Sequence, residues 1–396
     1  MKALSRTAKL IAPSATLAIS ALSKQMRADG IDVIGFGAGE PDFDTPEYIK
    51  QAGIRAIQEN QTRYTPAAGI VPLREAICRS IRKDTGVEYR PFQICVSNGA
   101  KTVLYIVLAA LLNPGDEVIL PAPYWVTYAE SIRLCGGVPV ILETDESTGF
   151  KISAEMLENA VTEKTKCVLF NNPSNPTGMV YTEQEMLPLL QVIQKHDLYL
   201  ISDEIYSNLV YGDGFRSAVS FGEDMRKRTV LVNGVSKTYA MTGWRIGYAA
   251  AEESLAKVIT NIASHLTGSA CTISQYAALE AYLGDDREAM QMKTAFDERR
   301  KYFMQRVGAI EGVSALEPQG AFYVFMNVKK QLGRTLYGKK IGNSADFAEA
   351  LLKNGLVAVV PGGAFGADGY LRWSYATSMQ NIEKGLDRLE KFLREE

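Results

Sequence analysis

Histidine is almost missing from this 396-residue chain: His196 and His265 are the only two, and no H-E-x-x-H spacing occurs. With so few imidazoles a catalytic zinc would need an unusual ligand set, so no metal is expected. Cysteine is sparse and unpaired in pattern. Cys78, Cys95, Cys135, Cys167 and Cys271 stand singly without a C-x-x-C, Cys95 and Cys167 fall inside apolar runs, and all five read as buried thiols of a reducing compartment. Charge of one sign is lacking as well. Forty-three basic against 45 acidic residues leave a net charge of −2, which excludes an electrostatic reason to bind nucleic acid or an anionic membrane. Small molecules are the expected partners. No apolar run reaches the length of a membrane span, and the longest candidate, Val103 to Leu112, reads as a core helix. At the N-terminus Lys2, Arg6, Lys9, Lys24 and Arg27 precede the first acid, Asp29. The apolar stretch from Leu10 to Leu22 is nevertheless broken by Pro13, Ser14, Thr16 and Ser20, which argues against a secretory signal. A cytoplasmic protein is the expectation.

What is present is an ordinary globular composition, 46% hydrophobic and 22% charged, in a chain longer than one core usually organises. Two units are therefore expected. Short β-branched runs recur with helical patterns between them: Ile94 to Ser97, Val118 to Leu120, Val138 to Leu142, Cys167 to Phe170, Tyr199 to Ser202, Val230 to Asn233 and Ile246 to Ala250. This alternation predicts an α/β fold whose seven-stranded, mostly parallel sheet is covered on both faces. Only about a dozen residues, Gly234 to Arg245, separate the last two runs, marginal for a helical crossover, so one antiparallel strand is expected there. Beyond Leu283 the texture changes to a charged helix from Asp285 to Val307, a strand-like Gly320 to Met326, further runs at Phe347 to Leu352, Val357 to Val360 and Leu371 to Tyr375, and an amphipathic helix from Asn381 to Leu393. These read as a smaller α+β domain, joined by a helix from Ser14 to Ala28 and the Gly/Pro-rich Gly35 to Pro46. The expected division is 46–284 for the large domain, with 1–45 and 285–396 forming the small one.

Ligands of an open α/β sheet bind beyond the carboxyl ends of its strands, so the residues just after each run carry the information. Ser97-Asn98-Gly99-Ala100-Lys101 opens an apolar helix, a phosphate-binding geometry or a plain strand-to-helix turn. Tyr124-Trp125 follows the second run; a lone Trp is more often core than a ligand platform. Asn171 to Gly178 is a polar, rigid turn. Asp203 stands at the mouth of the fifth run, where an acid either caps a helix or holds a cationic ring nitrogen protonated. Lys237 follows the sixth, where a lysine is more often a solvated charge. One reading uses every part: an aldehyde cofactor bearing a phosphate, a pyridine nitrogen and a phenolic oxygen, with lysine forming the Schiff base. The dinucleotide alternative fares worse, because Gly35-Phe36-Gly37-Ala38-Gly39-Glu40 lacks the third glycine at the required spacing and has no clear helix after it.

From about Pro13 to the C-terminus the sequence resembles the fold type I, class I aminotransferases, and most of all the bacterial branch of aspartate aminotransferases. The resemblance rests on GEPDFDTP at 39 to 46, RYTPAAG at 63 to 69, PYW at 123 to 125, NPSNPTG at 172 to 178, SDEIY at 202 to 206, SKTYAMTGWRIGY at 236 to 248, GAFYV at 320 to 324 and LRWSYATS at 371 to 378. It implies pyridoxal 5'-phosphate as cofactor, Lys237 as its Schiff-base lysine and proton shuttle, and Asp203 on the pyridine nitrogen. It also implies Tyr206 and Asn175 on the phenolic oxygen, Trp125 stacked on the ring, and Ser236, Arg245 and the Gly99 and Ala100 backbone around the phosphate. Tyr64 would reach that phosphate from a neighbouring subunit, which implies a homodimer with shared active sites. For amino-acid and 2-oxo-acid substrates, Arg372 would grip the α-carboxylate, helped by Asn175 and the Gly39 backbone. Lys101 and Thr16 would read a distal carboxylate, since no distal arginine of the eukaryotic type is found around Ser264 to Ser269.

The implied reaction is ping-pong transfer from aspartate to 2-oxoglutarate. Prephenate amination to arogenate is an alternative that the same Lys101 and Thr16 pair accompanies. Another Cα-bond cleavage on the same cofactor, such as a C–S lyase reaction, and a non-catalytic cofactor sensor are the remaining ones.

Overall fold

The alternating runs form one sheet in a computed structural model that describes residues 2, 3, 5, 9, 11 and 15–394, without the side chains of 15–18 and 20. Its strands are β1 (Ile94–Ser97), β2 (Glu117–Pro121), β3 (Val138–Leu142), β4 (Thr165–Asn171), β5 (Tyr199–Asp203), β6 (Thr229–Gly234) and β7 (Gly247–Ala250). Each coincides with a predicted run to within two residues at either end. They lie in the order β1-β7-β6-β5-β4-β2-β3. All neighbours are parallel except β7, which runs antiparallel to both β6 and β1, as the short Gly234 to Arg245 connection requires. β4, β5 and β6 are buried on both faces, which explains why they read as continuous apolar runs and not as alternation.

Helix Ala100–Leu111 lies under the sheet. Its Val103, Leu104, Val107 and Leu108 pack against Leu120, Leu169, Ile201 and Val232 in one layer of the core. Helix Glu183–Lys195 covers the opposite face, where Leu189, Leu190 and Ile193 meet Val168 and Leu200. A capping box starts it: Thr182 Oγ1 accepts from the Glu185 amide, and the Glu185 carboxylate accepts from the Thr182 amide at 2.8 Å. Such a cap is worth about 1 kcal/mol.

The smaller part holds a four-stranded sheet in the order Val360–Pro361, Tyr370–Ser374, Tyr323–Asn327, Ser314–Ala315, all antiparallel. Helices Arg287–Ala309, Ser344–Gly355 and Met379–Arg394 pack on it through Phe296, Phe303, Phe347, Leu386 and Phe392. The N-terminal helix Ala15–Ala28 leads into strand Ile34–Gly35, which pairs in parallel with Val357–Ala358. Phe36 then packs on Trp373, with ring centroids 4.9 Å apart. Residues 34–36 are thus held to the C-terminal part of the chain.

Three expectations need correction. The strand predicted from Gly320 begins at Tyr323, because Ala321 takes a positive φ of 58° and turns the chain before pairing starts. The run Val357 to Val360 is two strands that pair with different partners. Of the cysteines only Cys95 and Cys167 are buried; Cys78 and Cys135 are half-buried and Cys271 is exposed, at the start of helix Thr272–Leu283, and all five thiols are free. Among the described residues no helix is long and apolar enough to cross a membrane, and no group of three or more His, Cys, Asp and Glu is placed to hold a metal.

Candidate active site

A cavity of about 310 Å³ opens at the carboxyl ends of β4, β5 and β6, between the two sheets. Gly39, Ala100, Lys101, Trp125, Asn175, Asp203, Tyr206, Ser236, Lys237, Arg245 and Arg372 all line it, although they span more than three hundred residues of sequence. Gly99 stands directly behind as the residue before helix Ala100–Leu111. Two expected residues are not in this group. Tyr64 is 99% exposed and stands clear of the cavity, and the side chain of Thr16 lies outside the described residues.

Lys237 follows β6 by three residues and is part-buried, so the reading of a solvated strand end does not hold. Its Nζ donates to the Gly39 carbonyl at 2.5 Å. Burial lowers the ammonium from its ordinary range to about 8, while Glu40 opposes that fall. Asp203 ends β5. Its Oδ1 accepts from the Ile205 amide at 3.2 Å, a local turn contact and not a helix cap, and its Oδ2 accepts from Tyr128 Oη at 2.7 Å. Burial pushes this carboxyl up to about 6 against the pull of those two donors and of Lys237.

Asn175 belongs to the rigid turn after β4, where the Asn171 side chain accepts from its amide at 2.8 Å. Its Oδ1 accepts from Arg372 Nη1 at 2.9 Å, and Arg372 Nη2 donates to the Gly37 carbonyl at 2.8 Å. The guanidinium lies 4.6 Å from the Tyr323 ring centroid and 5.1 Å from that of Phe365. Arg372 is 1% exposed, and its Nε has no partner among the described residues. A buried guanidinium is costly unless an anion offsets its charge, and a planar carboxylate does so with two parallel bonds.

The phosphate-sized end of the cavity is built by close backbone approach. Gly99 adopts φ 82°, and a Cβ there would overlap the Arg245 guanidinium. A Cβ on Gly247 would overlap the Ala100 amide nitrogen and lie 2.7 Å from the Gly99 carbonyl carbon. Arg245 is held by the Thr242 carbonyl at 2.8 Å. The first amides of helix Ala100–Leu111 are the unpaired ones of any helix start, so they and Arg245 converge on one anion-sized volume. Trp125 flanks the cavity and meets Tyr128 edge-on at 5.4 Å, while Lys101 Nζ sits 4.9 Å over the Trp125 ring. Burial, and then the charge on Arg245, lower the Lys101 ammonium from its usual range.

Seven residues lining the cavity carried no assigned role in the sequence reasoning: Val126, Thr127, Tyr128, Asn171, Ile205, Thr242 and Tyr323. Tyr128 stands three residues after Trp125, across a turn in which its amide donates to the Trp125 carbonyl at 2.9 Å. Tyr323 lies within the quoted GAFYV word but carried no role there.

A sequence model of the family described as aminotransferase class I and II matches residues 31–389. The aspartate aminotransferase of Bacillus sp. (strain YM-2) is 45% identical over 392 residues, covering 99% of each chain. A probable aspartate/prephenate aminotransferase of Aquifex aeolicus is 46% identical over 397 residues, 100% of this chain and 99% of its own. Among solved structures, the aspartate aminotransferase of Thermus thermophilus with maleate superposes with a TM-score of 0.92 at 40% identity, over 99% of this chain and 100% of that one. The chain thus belongs to the class I and II aminotransferases.

Proposed function

We propose that the protein moves the amino group of L-aspartate to 2-oxoglutarate, giving oxaloacetate and L-glutamate in two half-reactions, with pyridoxal 5'-phosphate held on Lys237. The single observation that carries this reading is the buried Arg372 guanidinium, which lines the same cavity as Lys237 and Asp203. The residues suit this cofactor. A buried acid at one end fits a pyridine nitrogen, a crowded glycine turn with Arg245 fits a phosphate, and an amine with a pKa of about 8 fits an aldehyde.

When bound, the cofactor supplies the carbonyl that captures the amino group and a ring that accepts the electrons of the cleaved Cα–H bond. The protein does the rest. Arg372 and Asn175 bind the α-carboxylate and fix the plane of the substrate. Lys237 Nζ gives and takes the Cα proton, a task suited to an amine that titrates near working pH. Asp203, oriented by Tyr128, supplies a negative charge for the ring nitrogen. Tyr206 and Asn175 would serve the phenolic oxygen, Trp125 would hold the ring, and Ser236, Arg245 and the Gly99–Ala100 backbone would take the phosphate. Lys101 is the candidate for the distal carboxylate, and the aspartate enzymes among the relatives support a dicarboxylate here.

A second reading, amination of prephenate, is favoured by one feature. Lys101 also lines an adjoining cavity of about 750 Å³ with Tyr105, Leu134 and Leu266, room into which a bulky ring acid could extend. The name of the Aquifex aeolicus relative agrees with it.

We further propose a large domain at 46–284 and a small one formed by 1–45 with 285–396, and a homodimer in which Tyr64 completes the partner's phosphate site. The full exposure of Tyr64 supports this, as do the exposed Ile54 and Ile57 on the nearby helix Glu47–Gln58.

The test is a panel of amino donors with 2-oxoglutarate and with prephenate as acceptors. The expected outcome is oxaloacetate from aspartate, with no pyruvate or free ammonia. Lys237→Ala should lose turnover by at least about 10³-fold while still taking up amino acid and cofactor. Normal turnover in that variant would end the assignment, and ammonia release from aspartate would point to a lyase.

A further inference from the structure

The phenol of Tyr323 touches three elements of the cavity at once. Tyr323 opens the strand Tyr323–Asn327, fully buried, and its Oη lies 2.9 Å from Tyr206 Oη. The strand register explains its other contact. Phe325 stands opposite Arg372, so Tyr323, two residues earlier, faces the same side and is the diagonal neighbour of Arg372. Its ring centroid lies 4.6 Å from the guanidinium carbon. Gly39 completes the set, because a Cβ there would approach Tyr323 Oη to 3.2 Å.

Two phenols in contact share one proton between them and leave one free. Burial raises the pKa of both Tyr206 and Tyr323, so both stay protonated near neutral pH. An acceptor oxygen in the cavity facing Tyr206 therefore orders the pair. Tyr206 gives its only proton to the cavity, and Tyr323 must then be the donor to Tyr206. A hydroxyl that accepts one hydrogen bond becomes a better donor of the next.

We propose that Tyr323 is a positioning residue that serves both substrate and cofactor: its hydroxyl donates to Tyr206, strengthening the donor to the cofactor's phenolic oxygen, and its ring fixes the plane of Arg372. The proposal deepens the aminotransferase reading and rests on it. A strong donor stabilises the phenolic oxygen as an anion and so weakens its hold on the proton of the neighbouring lysine–cofactor nitrogen. Weakening the donor raises the pH at which that nitrogen titrates. The charged groups facing the amine, Glu40, Arg245, Arg372 and Asp203, are unchanged by Tyr323→Phe, so a shift in that variant reports the phenol.

The experiment loads wild type, Tyr323→Phe, Tyr206→Phe and the double variant with pyridoxal 5'-phosphate, titrates their visible absorbance with pH, and measures KM for aspartate. The Tyr323→Phe midpoint should rise by roughly 0.2–0.6 unit, in line with a strengthening of ~10–30% per bond in a chain. Tyr206→Phe should rise further, and the double variant should go no higher than Tyr206→Phe alone, since the effect passes through Tyr206. KM of Tyr323→Phe should stay within about twofold, because the ring remains, whereas Tyr323→Leu should raise it by roughly tenfold, the weight of a desolvated cation–π contact. An unmoved midpoint in Tyr323→Phe overturns the proposal, as does an equal further shift on the Tyr206→Phe background. Failure of the wild type to develop a visible band would instead defeat the cofactor reading, and this proposal with it.

Discussion

Two consecutive acids at the end of β5 meet different surroundings because alternate residues of a strand face opposite sides. Asp203 faces the cavity. Glu204 turns away, and its Oε1 accepts from Ser202 Oγ and Ser217 Oγ, both at 2.9 Å, and from the Ala218 amide at 3.1 Å. Burial outweighs those three donors and pushes the Glu204 carboxyl from 4.5 to about 7. A raised carboxyl pKa means that the folded protein holds more protons than the unfolded chain between those two values. The stability Glu204 contributes is therefore full below about pH 4.5 and lost as pH rises through about 7. Glu204→Gln keeps the acceptor oxygen and removes the charge. It should melt a few degrees higher than wild type at pH 8, a gain of the order of 1–3 kcal/mol, with the gap closing toward pH 5. Thermal melts at the two pH values decide it, and an equal gap at both would rule out a buried charge as the cause. At this scale the sequence was readable where a residue ends a strand within a dense motif, as with Asp203, Lys237 and Arg372. It was silent on Tyr323, whose partners Tyr206 and Arg372 become neighbours only through strand pairing and the contact of the two sheets.

At the scale of elements, the seven strands were legible because each is a four- to seven-residue apolar run bounded by turn residues, long enough for its pattern to register. The antiparallel β7 followed from loop length alone. The two-residue strands of the smaller part, such as Val360–Pro361 and Ser314–Ala315, are shorter than any period, so pattern could not assign them. Nor does composition reveal why β7 begins with glycine. Gly247 pairs with Ser97 on one side and Gly234 on the other, and its α-carbon packs against the Gly99–Ala100 peptide. A methyl there meets the backbone of Gly99 and Ala100, which cannot swing aside as a side chain can. Gly247→Ala should therefore cost about 1–3 kcal/mol in denaturant unfolding. It should also weaken pyridoxal 5'-phosphate binding by roughly tenfold or more, because the displaced peptide is the one proposed to face the phosphate. Unfolding with cofactor unchanged would show that the turn only supports the fold.

For the whole molecule, the proposed grouping of the N-terminal segment with the C-terminal part draws on contacts that no local pattern encodes: Ile34 with Val357, Phe36 with Trp373, and Gly37 with Arg372. Assembly lies a level beyond that. Tyr64 is wholly exposed in the single chain, and the dimer proposed above would place it at the phosphate site of another subunit. This arrangement makes a prediction that a self-contained monomer cannot meet. Lys237→Ala alone should be inactive, and Tyr64→Ala alone should be weakened by loss of cofactor affinity. Mixed, unfolded and refolded together, they should form heterodimers in which one site carries both lesions and the other carries neither. Random reassociation of two equal pools makes half the dimers mixed, with one intact site in each, so about a quarter of wild-type activity should return. If Tyr64 served the site of its own subunit, every site in the mixture would retain one lesion and no activity would be recovered. Measuring turnover of the mixture against the two separately refolded variants, at matched cofactor concentration, distinguishes a shared site from an independent one.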